Sequence, residues 1–341
     1  MINRRLFVQL NSMALLSAII LPKWVLAAGK NYIMSVKGRI DAAKMGMTLV
    51  HEHILVDFIG AEQANPSRYD SRVVFDKVLP YLKELKAAGF DTLFECTPSY
   101  LGKDPVLLKR LSEASDLNII TNTGYYGAIN HKFIPKHGFS ETAEQLAARW
   151  ISEWKNGIEN SGIRPGFIKI SGDKGPITEI QQKLVKAAAI THLKTGLTIA
   201  IHTGDGAAAE EELAILNSNK VAGSAFVWVH PQSETDRNYH INLAKKGVWI
   251  EFDGLDPENI NQYIDFVLLM KKNDLLNKTL ISHDAGWYNV GENNGGNFRG
   301  FTLASTHFIP GLLKKGITQK EVDLIFRINP SRAFALNIRK V

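Results

Sequence analysis

Eight short apolar runs, rich in β-branched residues, recur along the chain, and this alternation most constrains how it can fold. Between the runs lie longer stretches with helix start signals, such as Asp104-Pro105 and the pair Thr178 and Gln181. Strands that alternate with helices predict a parallel sheet with right-handed crossovers. The predicted strands span residues 47–51, 91–95, 118–123, 166–170, 197–202, 225–230, 248–252 and 279–283.

Two architectures can close such an alternation: a (β/α)8 TIM barrel or an open, doubly wound sheet. No glycine-rich dinucleotide-binding fingerprint follows any of the runs, which weakens the open sheet. The count of eight strands favours the (β/α)8 barrel, whose site lies at the C-terminal ends of the strands. We therefore predict one α/β domain over residues 47–341, preceded by an N-terminal lead-in over residues 28–46.

Residues 1–27 have the pattern of an export signal. Arg4 and Arg5 precede a short apolar run, and Val25-Leu26-Ala27 offers small residues for cleavage at Ala27 or Ala28. The paired arginines predict the twin-arginine pathway; a general secretory signal with two arginines by chance, or an uncleaved anchor, is the alternative. We expect a periplasmic or secreted protein that leaves the membrane after cleavage.

Charge and cysteine content exclude several classes of protein. The formal net charge of +6 includes the three positive charges of residues 1–27, and no cluster of basic residues resembles a nucleic-acid footprint. Cys96 is the only cysteine of the 341 residues, which excludes an intramolecular disulfide framework and a metal site built from cysteines.

Polar residues end the predicted strands, where a barrel enzyme builds its site. His51 and His53 are two residues apart in one strand, so both side chains point to the same face. His202, His230 and Asp284 end three other strands and converge on the same place in a barrel. Imidazoles with a carboxylate suit a metal such as zinc. The remaining histidines are interpreted as structural: His131, His137, His192, His240, His283 and His307.

Lys169 lies within an apolar strand, where an amine is costly unless its charge is removed or paired. An outward-facing lysine that reaches solvent is one interpretation. The other is a neutral amine that has captured CO₂ as a carbamate, which gives an anion able to bridge two metal ions.

These motifs together resemble the phosphotriesterase-like metal hydrolases of the amidohydrolase superfamily. The resemblance covers roughly residues 35–340 and implies a (β/α)8 barrel with two divalent metal ions, usually Zn²⁺, and a homodimer. It matches His51, His53 and Asp284 to the more buried metal, and His202 and His230 to the more exposed one. Lys169 matches the carboxylated lysine that bridges them. The stretches that carry the resemblance are 48–53, 166–170, 201–204, 229–230, 282–284 and 329–332.

The chemistry of such a centre predicts hydrolysis. A hydroxide that bridges the metals attacks a C=O or P=O group, and the metals stabilise the developing oxyanion. Asp284 is the candidate catalytic residue that takes the hydroxide proton to the leaving group; a role as ligand alone is the alternative.

Two departures from the resemblance bear on the substrate. The residues after His230 read Pro231-Gln232-Ser233, without the acidic residue that family members often have there. Gly254 follows Asp253, where family members often have a histidine or an arginine. A proton relay out of the site and an arginine contact to the substrate are therefore not predicted. Glu234 and Asp236 could replace the acid, or could begin the next helix, where acidic residues are favoured. Organophosphate hydrolysis as the native task becomes less favoured.

Candidate substrate contacts are Tyr126 after the third strand and Trp287 after the eighth, with barrel packing as the alternative role. The glycine- and asparagine-rich residues 285–300 predict a mobile loop over the site. We expect a small-molecule lactone or carboxylic ester as substrate. The alternatives are a phosphotriesterase or phosphodiesterase and a non-catalytic barrel that binds a ligand or metal.

Overall fold

The predicted strand and helix alternation is present in the computed structural model, which describes residues 31–341. An antiparallel hairpin of β1 and β2 comes first, and the remaining strands pair in parallel. The strands are β1 Tyr32–Ser35, β2 Gly38–Asp41, β3 Thr48–Val56, β4 Thr92–Glu95, β5 Asn118–Ile120, β6 Asn122–Thr123, β7 Phe167–Ser171, β8 Ile199–His202, β9 Phe226–Val229, β10 Trp249–Phe252, β11 Thr279–Ile281 and β12 Gly286–Asn289.

The parallel strands close into a (β/α)8 barrel, which confirms the predicted fold class. Strands β3, β4 and β5 form one run of neighbours, and β6 to β11 form the other. The residues that follow β11 close the barrel against β3: the Asp284 N–H donates to the His51 carbonyl at 3.1 Å, and the His53 N–H donates to the Ala285 carbonyl at 2.8 Å.

Helices cover the outside of the barrel, and several begin at the predicted signals. Asp104 caps one helix, Thr178 and Gln181 form a capping box, and Gly196 ends that helix at φ +79°. The helices are α1 Ser71–Ala87, α2 Pro105–Ser115, α3 Lys136–Ser140, α4 Ala143–Asn156, α5 Glu179–Thr195, α6 Gly206–Ser218, α7 Arg237–Lys245, α8 Ile260–Lys272, α9 Ile309–Lys314, α10 Gln319–Asp323 and α11 Asn329–Phe334.

Two hydrophobic cores hold this architecture together. The larger core lies between the strands and the surrounding helices. The smaller core fills the barrel interior, where Phe94 of β4 and Phe167 of β7 meet Phe334 of α11, whose ring lies 4.4 Å from that of Phe94. The C-terminal helix therefore plugs the end of the barrel opposite the ends of the strands that carry the predicted site.

The structure differs from the sequence prediction in three segments. The third predicted strand is interrupted at Thr121, because its carbonyl accepts from the Gly166 N–H and so leaves β5 and β6 to pair with different neighbours. Strand β3 continues to Val56, since β12 pairs alongside it. Residues 285–300, expected to be a mobile loop, therefore begin with an ordered strand. Gly286 has φ +97°, and a Cβ there would collide with the His53 carbonyl.

The predicted export signal lies outside the described residues. Within residues 31–341, no helix is both long enough and apolar enough to cross a membrane.

We predict that Arg339→Ala lowers the free energy of unfolding by about 2 kcal/mol, because several acceptors lose a charged donor. The Arg339 guanidinium donates at 3.0 Å to Thr198 Oγ1, just before β8, and to the carbonyls of Arg332, Ala333 and Ala335 around α11. Denaturant unfolding followed by circular dichroism measures the change. The exposed Arg332→Ala is the control, and an equal effect of both substitutions would contradict the prediction.

Candidate metal centre

A cavity of about 270 Å³ opens at the C-terminal ends of the barrel strands. All eight residues predicted as ligands or substrate contacts line it: His51, His53, Tyr126, Lys169, His202, His230, Asp284 and Trp287. They lie on, or shortly after, strands that meet at one end of the barrel, as the strand-end pattern predicts. The structure brings these side chains together, while their roles in binding stay predictions.

One group of three ligands lies at the closure of the barrel. Asp284 Oδ1 lies 3.1 Å from His53 Nε2 and 3.8 Å from His51 Nε2, and it receives no hydrogen bond. His51 and His53 are buried, since both point from β3 into the barrel interior. The candidate ligand atoms of these residues lie within 4.8 Å of one another, which is close enough for one metal ion.

The hydrogen bonds behind these imidazoles leave the facing nitrogens free to bind a cation. His51 Nδ1 lies 2.8 Å from Glu251 Oε1, and carboxylates accept the Nδ1 proton. His53 Nδ1 lies 2.8 Å from Thr97 Oγ1. With Nδ1 engaged, the Nε2 atoms face Asp284 Oδ1. Two imidazole nitrogens and a carboxylate oxygen that converge in this way fit a metal ion, which on binding displaces any proton held at Nε2.

A second group of candidate ligands continues from the first across the cavity. The His202 and His230 rings are 4.4 Å apart between centroids, and the His51 and His230 rings are 5.1 Å apart. Lys169 is 2% exposed, and its Nζ makes no hydrogen bond or ion pair to any residue of 31–341. A buried amine without a partner is costly, so its placement among the candidate ligands fits carbamate formation.

Burial and nearby carboxylates set the charge states of these groups. Burial lowers the pKa of His53 and His202, which keeps their imidazoles neutral and able to bind a metal ion. His51 differs: burial opposes its protonation, but Asp253 and Glu251 prevail and raise its pKa to about 10. Burial likewise opposes the ionisation of Asp284, yet the imidazoles of His53 and His51 hold its pKa below the ordinary range. The site therefore stabilises positive charge.

Apolar and aromatic side chains form the rest of the cavity wall. Trp287 lies 4.4 Å from the His53 ring and stacks on Phe58 at 5.7 Å, and its indole N–H donates to the Asp284 carbonyl at 2.7 Å. The Tyr126 hydroxyl lies 3.3 Å from both ring nitrogens of His202. The other apolar wall residues are Pro98, Leu101, Ile129 and Phe133. No sequence motif pointed to Phe58 or to this group, because single apolar residues in loops carry no pattern.

Three of the predicted site residues have strained backbone conformations. His230, Asp284 and Trp287 have φ values of +64°, +52° and +74°, in the left-handed region that residues other than glycine rarely adopt. Such strain persists where surrounding contacts fix it, as at functional sites. Glu234 and Asp236, considered as replacements for a relay acid, instead contact helix ends: Glu234 accepts from the Gly206 N–H and Asp236 caps α7.

A barrel with a histidine- and aspartate-rich cavity at its strand ends is typical of metal-dependent hydrolases. A model of the phosphotriesterase family matches residues 31–334. The chain therefore belongs to the phosphotriesterase family, whose members are metal-dependent hydrolases with a binuclear centre.

Individual relatives differ in the bonds that they cleave. A phosphotriesterase homology protein of Escherichia coli (strain K12) is 27% identical over 85% of this chain and 98% of its own length. An N-acetyltaurine hydrolase of Danio rerio is 26% identical over 88% of this chain and 97% of its own. A solved structure from the engineering of organophosphate hydrolysis from a weak promiscuous lactonase template has 26% identity and a TM-score of 0.79, and covers 89% of this chain and 99% of its own.

We predict that Glu52→Gln destabilises both the fold and the site. Glu52 Oε1 accepts from Ser282 Oγ and His283 Nδ1, each at 2.8 Å, and Oε2 accepts from the Ala285 N–H at 2.9 Å. These bonds hold the segment that carries Asp284. An amide leaves a buried donor facing a donor, so we expect a loss of about 3 kcal/mol in unfolding free energy.

Thermal and denaturant unfolding measure this loss, and metal content measures the effect on the site. Glu113→Gln, at an exposed position on α2, is the matched control. Wild-type stability and metal content in Glu52→Gln would contradict the assigned role.

Proposed function

We propose that this chain is a hydrolase of uncharged lactones or carboxylic esters that works with two divalent cations, most favourably Zn²⁺. The observation that carries the proposal is one cavity with two unlike halves. Its floor holds the candidate ligands, and its wall holds Phe58, Leu101, Phe133 and Trp287.

The donor set fits two cations. His51, His53 and Asp284 would hold one, His202 and His230 would hold the other, and carboxylated Lys169 would lie between them. Bound divalent cations lower the pKa of water and polarise the carbonyl under attack. Asp284, kept ionised by its histidine neighbours, accepts the proton of the attacking water and delivers it to the leaving group. The Tyr126 hydroxyl would donate to a substrate oxygen; its position at the cavity beside His202 supports this role.

The cavity wall favours a neutral substrate. Apart from the four candidate-ligand histidines, Lys169 alone among the residues that line it has a basic side chain, and carboxylation makes that side chain negative. The charge of a phosphodiester would have only the cations at the floor as counter-ions, and a sulfonate remote from the scissile amide would lie against apolar walls without one, which is unfavourable. We therefore do not propose N-acetyltaurine, the substrate in the name of a relative, as the substrate of this chain.

The size of the cavity favours a planar ester over a phosphotriester. About 270 Å³ lies below the usual range for drug-sized ligands. An ester or lactone carbonyl carries two substituents, whereas phosphorus in a triester carries three and needs room for each. The phosphotriester remains the second candidate, because it is also neutral and because a similar solved structure concerns organophosphate hydrolysis.

A panel of substrates tests the proposal on purified protein loaded with Zn²⁺ and bicarbonate. We compare kcat/KM for a γ-lactone, an aryl carboxylic ester, an aryl dialkyl phosphate, an aryl phosphodiester and N-acetyltaurine. We expect the lactone or ester to be turned over fastest and the two anionic compounds slowest. A higher value for the triester would establish the second candidate, and no turnover with full metal loading would favour a binding protein.

We predict that Lys169→Ala lowers metal content from about two ions per chain towards one and reduces kcat. Short carboxylates should restore part of both, because they can replace the lost bridging anion. Metal analysis of protein purified without chelators measures the occupancy. Lys174→Ala, at an exposed position in the loop after the same strand, is the control. Unchanged metal content and rate in Lys169→Ala would remove the bridging role.

We predict that Asp284→Asn lowers kcat at least about 100-fold, because the amide neither accepts the proton nor neutralises a cation as the carboxylate does. Steady-state kinetics measures the effect, and circular dichroism checks the fold. Asp265→Asn, at an exposed position on α8, should leave kcat unchanged. Wild-type turnover by Asp284→Asn would exclude this residue from proton transfer.

A further inference from the structure

Asp253 follows β10 and lies fully buried behind the candidate ligands. Its Oδ1 accepts from His230 Nδ1 at 2.6 Å and from Gln232 Nε2 at 2.7 Å. Its Oδ2 accepts from the His230 N–H at 3.1 Å and lies 3.2 Å from His51 Nδ1. One carboxylate thus contacts the imidazoles of two candidate ligands at their Nδ1 atoms, on the side away from the cavity.

The two imidazoles belong to different halves of the centre. His51 lies with His53 and Asp284, within reach of a single metal ion. His230 lies against His202 on the opposite side of the cavity. The contacts of Asp253 therefore join one candidate ligand from each metal position.

A carboxylate at Nδ1 determines how an imidazole can bind a metal. It accepts the Nδ1 proton, which leaves the lone pair on Nε2, and it fixes the orientation of the ring. His53 is held in the same way by the neutral Thr97 hydroxyl, and His202 contacts the Tyr126 hydroxyl at 3.3 Å. Asp253 differs from these hydroxyls because it is a carboxylate and because it contacts one candidate ligand of each metal position. The Gln232 side chain donates to Asp253 Oδ1 and so fixes the carboxylate.

We propose that Asp253 is a positioning residue shared by both metal positions, so that its loss weakens the binding of both cations. This inference rests on the proposed metal-dependent function. Asp253 holds the His51 and His230 rings on the sides of one rigid carboxylate, which sets the separation and angle between the two Nε2 atoms. Neither position can then form with its correct geometry when this carboxylate is replaced.

Glu251, on β10, supplies a matched control. It lies two residues before Asp253, is 1% exposed, and contacts His51 Nδ1 through Oε1 at 2.8 Å. It makes no hydrogen bond or ion pair to His230 among the described residues. Glu251→Gln therefore perturbs one ligand of one position, whereas Asp253→Asn perturbs a ligand of each. Both substitutions are close to isosteric and remove one buried negative charge.

The test compares Zn²⁺ and Co²⁺ binding by the wild-type chain, Asp253→Asn and Glu251→Gln. Each protein is stripped with a chelator and titrated against a chromogenic metal indicator, and its final stoichiometry is measured by elemental analysis. We expect both dissociation constants of Asp253→Asn to rise about 10- to 100-fold, the range for lost outer contacts of metal ligands. We expect Glu251→Gln to raise one of them and leave the other near its wild-type value.

Each remaining result has a defined meaning. Two unchanged constants in Asp253→Asn, or a change confined to one, would overturn the shared role while leaving the proposed function intact. A wild-type chain that takes up no metal would overturn the proposed function and this inference with it. The visible spectrum of the Co²⁺ form adds a readout of ligand geometry, and we expect both of its metal sites to change in Asp253→Asn.

A measurement on the wild-type chain covers the case in which Asp253→Asn does not fold. Nitrogen-15 NMR of the Zn²⁺-loaded protein reports which imidazole nitrogen carries the proton. We expect slowly exchanging Nδ1–H signals for both rings, because Asp253 accepts from His230 and because the Nδ1 atom of His51 faces the carboxylates of both Asp253 and Glu251. Absence of the Nδ1 proton from either ring would overturn the inference.

Discussion

Carboxylates buried against imidazoles at one end of the barrel form the interaction on which the rest of this structure depends. Asp253 and Glu251 are nearly inaccessible to solvent, and Asp284 faces His53 at the closure of the barrel. Isolated buried charges are strongly unfavourable, so these groups require positive charge close by. The imidazoles provide this positive charge when they are protonated, or when they bind metal cations. The same arrangement that would destabilise an empty barrel end therefore prepares it for cations.

The sequence predicts the fold and the candidate ligands because both follow from local patterns. Alternating strands and helices need only short windows, and His51 and His53 are recognised by the two-residue period of a strand. The contacts of Asp253 and Glu251 escaped prediction because they join distant strands: His51 and Glu251 are 200 residues apart. A signal was nevertheless present, since Glu251 and Asp253 are two residues apart at a strand end, as His51 and His53 are.

Residues 286–289 show how composition alone missed an ordered strand. Glycine and asparagine adopt a wide range of backbone conformations, and a segment rich in them was therefore predicted to be mobile. In the structure, Gly286 instead allows β12 to approach the His53 carbonyl closely, and β12 extends β3 through Val56. Trp287 then reaches His53 from an ordered strand. A glycine is needed at position 286 because no side chain fits beside the His53 carbonyl. The sequence does not show this neighbour, so a glycine required for close packing looks the same as one in a flexible loop.

The Arg339 guanidinium and the Phe334 plug lie at the end of the barrel opposite the cavity. Different residues thus stabilise the barrel and contact the substrate, and the length of the strands separates the two groups. Changes in the loops at the cavity can accumulate without loosening the plug, and a tightened plug can offset loops that pack less well. In directed evolution, residues of the cavity wall can therefore be randomised, while stabilising substitutions at the end that carries Phe334 and Arg339 offset any loss of stability.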